Sequence, residues 1–459
     1  MPDTPPNTCP VAMLGTHMPE ETLPPRSHRR WLTAEWALLA LAAPFLLFPT
    51  LKPQITVLVL CLLGLFWLVA LIQRRPWPST PFNAPLLLIT IMVAVGTLVT
   101  ASPDLTLPKA TGLILGLAVF RAVAQTRGKQ SLGLALAGMV LAALGVWALG
   151  LLDLRWPDKI SGLQGLLNRV PQHVTSLPGT PEGGVSPNQL AGVLALLLPI
   201  PVAALIATGR CRRGLSWGLL GLGGVVIWGG TLFLTQSRGG WIGGLAGLLT
   251  FFTLWGLSGQ RRWQRAVGLV LPVLALLLAA AALLVLGSDR IGQVLYGATE
   301  GAVETAVGGI SFQGRVEIWS RALRAIRDFP LTGCGLGTFR RVVHVLYPLF
   351  LVSPDWDIAH GHNVFLQVAL DLGLPGLVGY LALLAVAGWV GWQRVRARAS
   401  DRWLALGALA GLVGYHVYGI ADTVALGSKP SFLFWWLLGL LAAAAASDDG
   451  SADSDRVPG

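Results

Sequence analysis

The chain has 459 residues, of which 54% are hydrophobic and 12% charged, and its formal net charge is +11. Soluble domains carry roughly 25% charged residues, so this composition excludes an ordinary soluble globule. The basic excess does not indicate nucleic acid, because the cations stand in short clusters between apolar runs, where membrane topology puts them.

The first 30 residues are proline-rich and polar and are expected to be a disordered cytoplasmic tail. They lack the apolar core of a signal peptide, which leaves the first apolar run as an uncleaved insertion signal. Charge-free stretches follow, such as Gln54 to Gln73 and Val267 to Gly287. Each is close to the ~20 residues that a helix needs to cross the hydrocarbon. Twelve such runs predict spans near 34–49, 54–73, 82–100, 108–125, 131–152, 189–207, 215–236, 241–257, 267–287, 375–393, 403–419 and 431–447. Glu35 and Pro44 interrupt the first, and Lys109 and Arg121 flank the fourth. With a cytoplasmic N-terminus the inner short loops hold fifteen basic residues, from Arg74 and Arg75 to Arg394, Arg396, Arg398 and Arg402. The outer short loops hold seven: Lys52, Lys109, Arg155, Lys159, Arg169, Arg238 and Lys429. That alternation predicts both termini inside. A short acidic tail over 448–459 is expected to be disordered. Cys9, Cys61, Cys211 and Cys334 share no short spacing, so no disulfide framework is expected.

Two outer segments, 153–188 and 288–362, are too long to be connectors. In the second, Val316, Trp319, Leu323 and Ile326 recur at helical spacing, which predicts an amphipathic helix lying on the outer face. Pro330 and the glycines of 331–337 end it.

The spans hold few ionisable groups, with Asp371 the main candidate for a coupling carboxylate of a transporter. Polar candidates gather outside instead. Arg238, in Gln236-Ser237-Arg238-Gly239-Gly240, is the only charge between Arg213 and Arg261. It reads either as an arginine snorkelling to lipid phosphates or as an anion clamp. Arg315 opens the amphipathic helix, where a cation beside the helix N-terminus favours phosphate. Its bland alternative is a pair with Glu317 or Glu304. His360-Gly361-His362-Asn363 places two of the seven histidines within three residues. A neutral imidazole can take a proton from a hydroxyl, although a surface pair is often inert. Asp355-Trp356-Asp357 could hold a divalent metal with these histidines nearby, but the spacing matches no zinc pattern.

His362-Asn363, nine residues, Gly373, two residues, Gly376 resembles the signature of the O-antigen ligase family. Gly314-Arg315 with Trp319, Pro330-Leu331-Thr332-Gly333-Cys334-Gly335-Leu336-Gly337, Ser237-Arg238-Gly239-Gly240 and Ser186-Pro187-Asn188-Gln189 resemble the surrounding motifs, over about 186–380. The resemblance implies an all-α integral membrane protein of about twelve transmembrane helices, GT-C-like, with one polytopic domain over 31–447 and the large outer loop 288–362 carrying the site. It implies a multi-pass protein of the bacterial inner membrane. The activity implied is transfer of a glycan from a polyprenyl (undecaprenyl) diphosphate donor to a lipid or glycan acceptor in the envelope, as in lipopolysaccharide. Arg238 and Arg315 resemble the family's essential arginines, which would bind the donor diphosphate, and His362 resembles its essential histidine. His360, Asn363 and Asn188 are secondary candidates. The implied reaction is inverting and needs no metal or other cofactor; membrane lipids are the expected neighbours, and no nucleic acid is. Alternatives are a repeat-unit polymerase of the same family, a transporter (bicarbonate-related members have been described) and a structural envelope subunit.

Overall fold

A computed structural model describes residues 26–452 apart from 75–76, 127, 155, 158–159, 168, 170–184, 209–213, 297–311, 354 and 400. Among the described residues the secondary structure is helical, with one isolated bridge between Leu154 and Val185. The helices are α1 (Arg26–Leu47), α2 (Pro53–Ile72), α3 (Asn83–Leu98), α4 (Pro103–Ala124), α5 (Lys129–Asp153), α6 (Gln164–Leu167), α7 (Pro187–Leu197), α8 (Pro199–Thr208), α9 (Gly214–Leu234) and α10 (Arg238–Leu257). There follow α11 (Arg262–Tyr296), α12 (Phe312–Asp328), α13 (Phe339–Leu346), α14 (Val364–Arg396), α15 (Arg402–Tyr418) and α16 (Phe432–Ala452).

Nine described helical stretches are long and apolar enough to cross a membrane, with α7 and α8 forming one of them across Pro199. The remaining apolar runs form the shorter helices α3, α9 and α15. The chain is a polytopic membrane protein. Bundle contacts are made through small residues, as expected where lipid offers no hydrophobic drive for helices to associate. A Cβ on Gly243 of α10 would stand 2.6 Å from the Gly414 carbonyl of α15, so these helices meet backbone to backbone. Leucines such as Leu276, Leu284 and Leu58 face outward instead.

Several boundaries differ from the sequence expectation. α1 begins at Arg26, inside the stretch expected to be a disordered tail over 1–30, and α16 continues to Ala452, into the stretch expected to be disordered over 448–459. A helix leaving the bilayer keeps its backbone ladder where residues such as alanine favour it. α4 begins at Pro103 because its cations have partners: Lys109 pairs with Asp371 at 2.9 Å and Arg121 with Glu35 of α1. Asp371 also accepts the Gly337 amide at 2.8 Å, so its charge and lone pairs are used in holding the fold, not left for ion coupling. The tails 1–25 and 453–459, Cys9, Cys211, Glu304, Arg155, Lys159 and the loop arginines Arg75, Arg127, Arg210, Arg212 and Arg213 lie outside the described residues.

The tenth run, expected at 375–393, lies within a longer helix that starts at Val364 and kinks at Gly373, where φ is 67°. A side chain there would be strained, and its Cβ would sit 2.3 Å from the Leu331 carbonyl. The kink frees backbone groups, and the segment after α12 satisfies them: Cys334 N donates to Leu370 O at 2.8 Å and Leu374 N to Pro330 O at 2.7 Å. The glycine-rich stretch is therefore a plug seated in the bend of α14.

α12 is the expected amphipathic helix, and the side that packs on the rest of the chain carries a second stripe joined by Ile326. Ile318, Ala322 and Ala325 pack into a small core with Phe339, Val343 and Ile358, while Val316 and Leu323 stay exposed. Both stripes have helical spacing, and the one bearing alanines permits the closer approach.

The long segment shares one end of the bundle with several other loops. Leu336 N donates to Gly96 O at the end of α3, and Thr106 of α4 donates to Leu336 O. Gln236 donates to Pro157 O, and Asn363 to Ile420 O. Every sequence-predicted site residue belongs to this end.

Candidate functional site

His360 and His362 stand just before α14. Asn363 caps that helix, its side-chain oxygen accepting from the Phe365 and Leu366 amides at 2.9 and 3.1 Å. Its amide nitrogen donates to Ile420 O at 2.9 Å, and Val364 N donates to Gly419 O at 2.7 Å, so the turn after α15 is bolted to the histidine segment. Trp319 of α12 donates its indole N–H to His362 O at 3.1 Å. His362 is held at φ 46°, one of four described non-glycine residues in the left-handed region; Gln236, two residues before Arg238, is another at 49°. Such backbones cost of order 1–3 kcal/mol and persist where surrounding contacts enforce them, often at functional sites.

Asp422, presented by the turn after α15, is the hub. Its Oδ1 lies 3.4 Å from His362 Nδ1 and 3.7 Å from His360 Nε2, and its Oδ2 lies 3.7 Å from an Arg315 nitrogen. The alternative pair of Arg315 with Glu317 is not formed. Glu317 turns the other way, accepting from the Phe350, Leu351 and Val352 amides and facing Arg321. Burial opposes the Asp422 charge, but the His362, Arg315 and His360 groups around it outweigh that and hold its carboxyl well below the usual carboxylate range. His360 is pushed down to about 3, by burial first and then by the neighbouring His362. It is therefore neutral near pH 7. Its Nδ1 accepts the His362 backbone N–H at 3.3 Å, which puts the ring proton on Nε2, toward Asp422.

Arg238 opens α10, where Ser237 caps the helix by accepting from Gly240 N. The Cβ position of the adjacent Gly239 lies 3.7 Å from the Tyr418 ring. Tyr418 is the last residue of α15 and accepts the Asp422 amide on its carbonyl. Asn188 starts α7 one turn before Gly192, which also packs on the Tyr418 ring, and so shares that face. Through Tyr418, the ends of α7 and α10 converge on the turn that carries Asp422. Four buried polar atoms here make no hydrogen bond: Arg315 Nε, His362 Nδ1, Tyr418 Oη and Thr423 Oγ1. The 3.4 Å contact of His362 with Asp422 has the distance of an ion pair without a hydrogen bond's alignment. An unsatisfied buried group costs about 1–3 kcal/mol, so a cluster of four marks a place built for something other than stability.

Residues 223–381 match the family described as O-antigen ligase. This stretch is similar to that family, and the match covers about a third of the chain. A comparison with curated proteins finds no match. The O-antigen ligase match spans Arg238, Arg315, His360, His362 and Asn363, and leaves Asn188 and Asp422 outside. Members of the O-antigen ligase family are glycosyltransferase- or ligase-like enzymes.

Sequence reasoning missed Asp422. The signal was available: it is the only acidic residue between Asp401 and Asp448, set in an apolar stretch. Asp355 and Asp357 do not join the histidines in the structure. Asp357 is exposed and paired with Arg340, and the Asp355 backbone amide bonds Ser353. The donors that could hold a metal are instead His360, His362 and Asp422, whose ligating atoms lie within 4.8 Å of one another. Two imidazoles and a carboxylate suit a zinc-like ion. Arg315, on the other oxygen of the same carboxylate, places a competing cation there.

Proposed function

We propose that this protein moves a glycan from a polyprenyl-diphosphate carrier to an acceptor hydroxyl at the outer face of the membrane, without a metal and with inversion. The observation that carries the proposal is the Asp422 carboxylate, with His362, His360 and Arg315 at 3.4–3.7 Å, amid buried polar atoms that have no hydrogen bond.

Breaking a glycosyl–diphosphate bond builds negative charge on the leaving phosphate, and cations must meet it. Arg315 supports that role: its Nε is a buried donor with no acceptor, and its guanidinium fork matches phosphate oxygens. Arg238 is the second cation, presented at the head of α10 beside glycines that let a phosphate approach. The acceptor oxygen must lose a proton as it attacks. Asp422 beside Nδ1 orients the His362 ring, leaving Nε2 to take that proton. Neutral His360 donates toward Asp422 without competing for the acceptor proton. The hydroxyl oxygen bonds the anomeric carbon from the face opposite the leaving group, the C–O bond to the diphosphate breaks, and the proton passes to His362. A polyprenyl tail gives the reason for a site at the end of a helical bundle: the chemistry stays at headgroup depth while the chain remains in lipid.

The test is glycan transfer in nanodiscs from a polyprenyl-diphosphate glycan to envelope acceptors, with a chelator present. Wild type is expected to transfer, whereas His362→Ala and Arg315→Ala fall by at least about 10²-fold, the low end for losing a positioned base. The product mass distinguishes ligation to a lipid or protein from repeat-unit polymerisation. Transfer by His362→Ala at the wild-type rate would remove the histidine from the mechanism. Activity lost to chelator and restored by a divalent ion would place a metal on His360, His362 and Asp422.

A further inference from the structure

The stretch from His344 to Leu351 carries no acidic, lysine or arginine side chain; Tyr347 and Leu349 pack inward, and four of its apolar side chains turn outward. Val345 is 77% exposed and Phe350 81%, with Leu346 and Leu351 exposed beside them. Apolar tips of this kind normally cost solubility. This one is also rigidly presented. Glu317 is buried beneath it and accepts from three consecutive amides, those of Phe350, Leu351 and Val352, at 2.7, 2.8 and 3.2 Å. Arg321 donates to Pro348 O at 2.9 Å and lies 5.4 Å from the Phe350 ring centroid. Two charged side chains of α12 are thus used to fix the shape of an exposed apolar loop.

Its location identifies what it meets. The segment leading into it is fastened to the ends of α3 and α4, through Leu336 N on Gly96 O and Thr106 on Leu336 O. Arg341 of α13 pairs with Asp104, in the first turn of α4, at 2.7 Å. α4 is long and apolar enough to cross a membrane, and as a span it puts Asp104 where the helix leaves the bilayer. Val345 lies one turn beyond Arg341 on the same face of α13. The face that reaches the membrane exit of α4 therefore continues directly into the apolar tip.

We infer that Val345, Leu346, Phe350 and Leu351 form a wedge that enters the lipid leaflet at the site end of the bundle, with the phospholipid itself as partner. Aliphatic and aromatic side chains enter the acyl boundary, while Arg340 and Arg341 stay at headgroup level, the division of labour of an interfacial anchor. The wedge fixes the height of α12, and with it Arg315 and Trp319, above the membrane. It requires only that α4 spans a bilayer and does not depend on glycan transfer.

The test places p-benzoylphenylalanine, a photoreactive side chain, at Val345, Phe350 or Asp355 in the full chain. Each protein is reconstituted in nanodiscs of phospholipid alone, irradiated and weighed intact. Asp355 is exposed in the same segment but polar, and serves as the reference. Phospholipid adducts at 345 and 350, several-fold above those at 355, are the expected result. Three results overturn the inference: equal yields at all three positions, no adduct at 345 and 350 in protein that elutes and melts like wild type, or crosslinks to a second copy or to 297–311 of the same chain. Having two tip positions keeps the test valid if one of them disturbs folding.

Discussion

Asp422 is the anion shared by His362, His360 and Arg315, at 3.4–3.7 Å. Replacing it by asparagine keeps the shape but removes the anion that orients His362 and balances Arg315. The expected outcome for Asp422→Asn is a fall in kcat of order 10²–10⁴, with Asp422→Glu recovering part of it. Turnover near wild type would show that His362 works without Asp422. His360 makes a separate prediction. Its pKa is lowered to about 3 in the fold, against about 6.5 in an unfolded chain. Between those values the unfolded state binds a proton that the folded state does not, so stability falls as pH drops from about 6.5 toward 3, by at most about 1.4 kcal/mol per pH unit. Asp422, lowered in the fold, adds its own loss once pH falls through the ordinary carboxylate range and below. Thermal melting in detergent at pH 7, 5.5 and 4.5 reads the His360 part, and His360→Gln is expected to flatten the slope above pH 4.5. An unchanged slope in that variant would assign the acid sensitivity to other groups. At this scale the sequence showed the cations and the histidines, because rare polar residues stand out in an apolar chain. It did not show their common anion, since a lone aspartate between two spans carries no motif and gains meaning only when α15 returns beside α14.

Helices were legible wherever a long, nearly charge-free apolar run decided them. The expected runs at 54–73 and 241–257 correspond closely to α2 and α10. Legibility failed where two readings shared one helical period. In α12 the sequence offers Val316, Trp319, Leu323 and Ile326 on one stripe and Ile318, Ala322 and Ala325 on another, and only the neighbouring surface chooses between them. The helical segment expected after Asn363 and the span expected at 375–393 are one helix, with Gly373 and Pro375 at a bend within it. The bend is a specific device. It exposes backbone groups that the plug at 330–337 occupies, and that plug carries Gly337 to Asp371 and thence to Lys109 of α4. Gly373→Ala is therefore expected to destabilise by more than the ~1 kcal/mol of an ordinary helix glycine. The left-handed backbone would be strained, and the Leu331 carbonyl at 2.3 Å from the new Cβ is main chain that cannot step aside. Melting in detergent checks this, with Gly388→Ala as the reference, because a Cβ at Gly388 meets nothing within 4 Å. Equal melting temperatures for the two variants would mean that the plug and bend can separate freely.

For the whole molecule, function depends on which end faces out. The structure gathers Arg315, His362, Asp422 and the head of α10 at one end, and the buried pairs Glu35–Arg121 and Arg394–Asp401 toward the other. A lipid-linked glycan can be used only if the site end is outside the cytoplasm. The alternation of charge along the sequence argues for that arrangement: with a cytoplasmic N-terminus the inner short loops are expected to hold fifteen cations against seven for the outer ones, and basic loops remain cytoplasmic. That arrangement predicts both termini inside. Topology labelling decides it. In a background with the four native cysteines changed to serine, Asp355→Cys reports the site end and Ala397→Cys the other. Right-side-out vesicles treated with a membrane-impermeant maleimide are expected to label Asp355→Cys and spare Ala397→Cys until detergent is added. The reverse pattern would put the arginines and histidines in the cytoplasm, where a donor already carried across the membrane could not reach them. The glycan-transfer proposal would then fail, although every distance within the site would still stand.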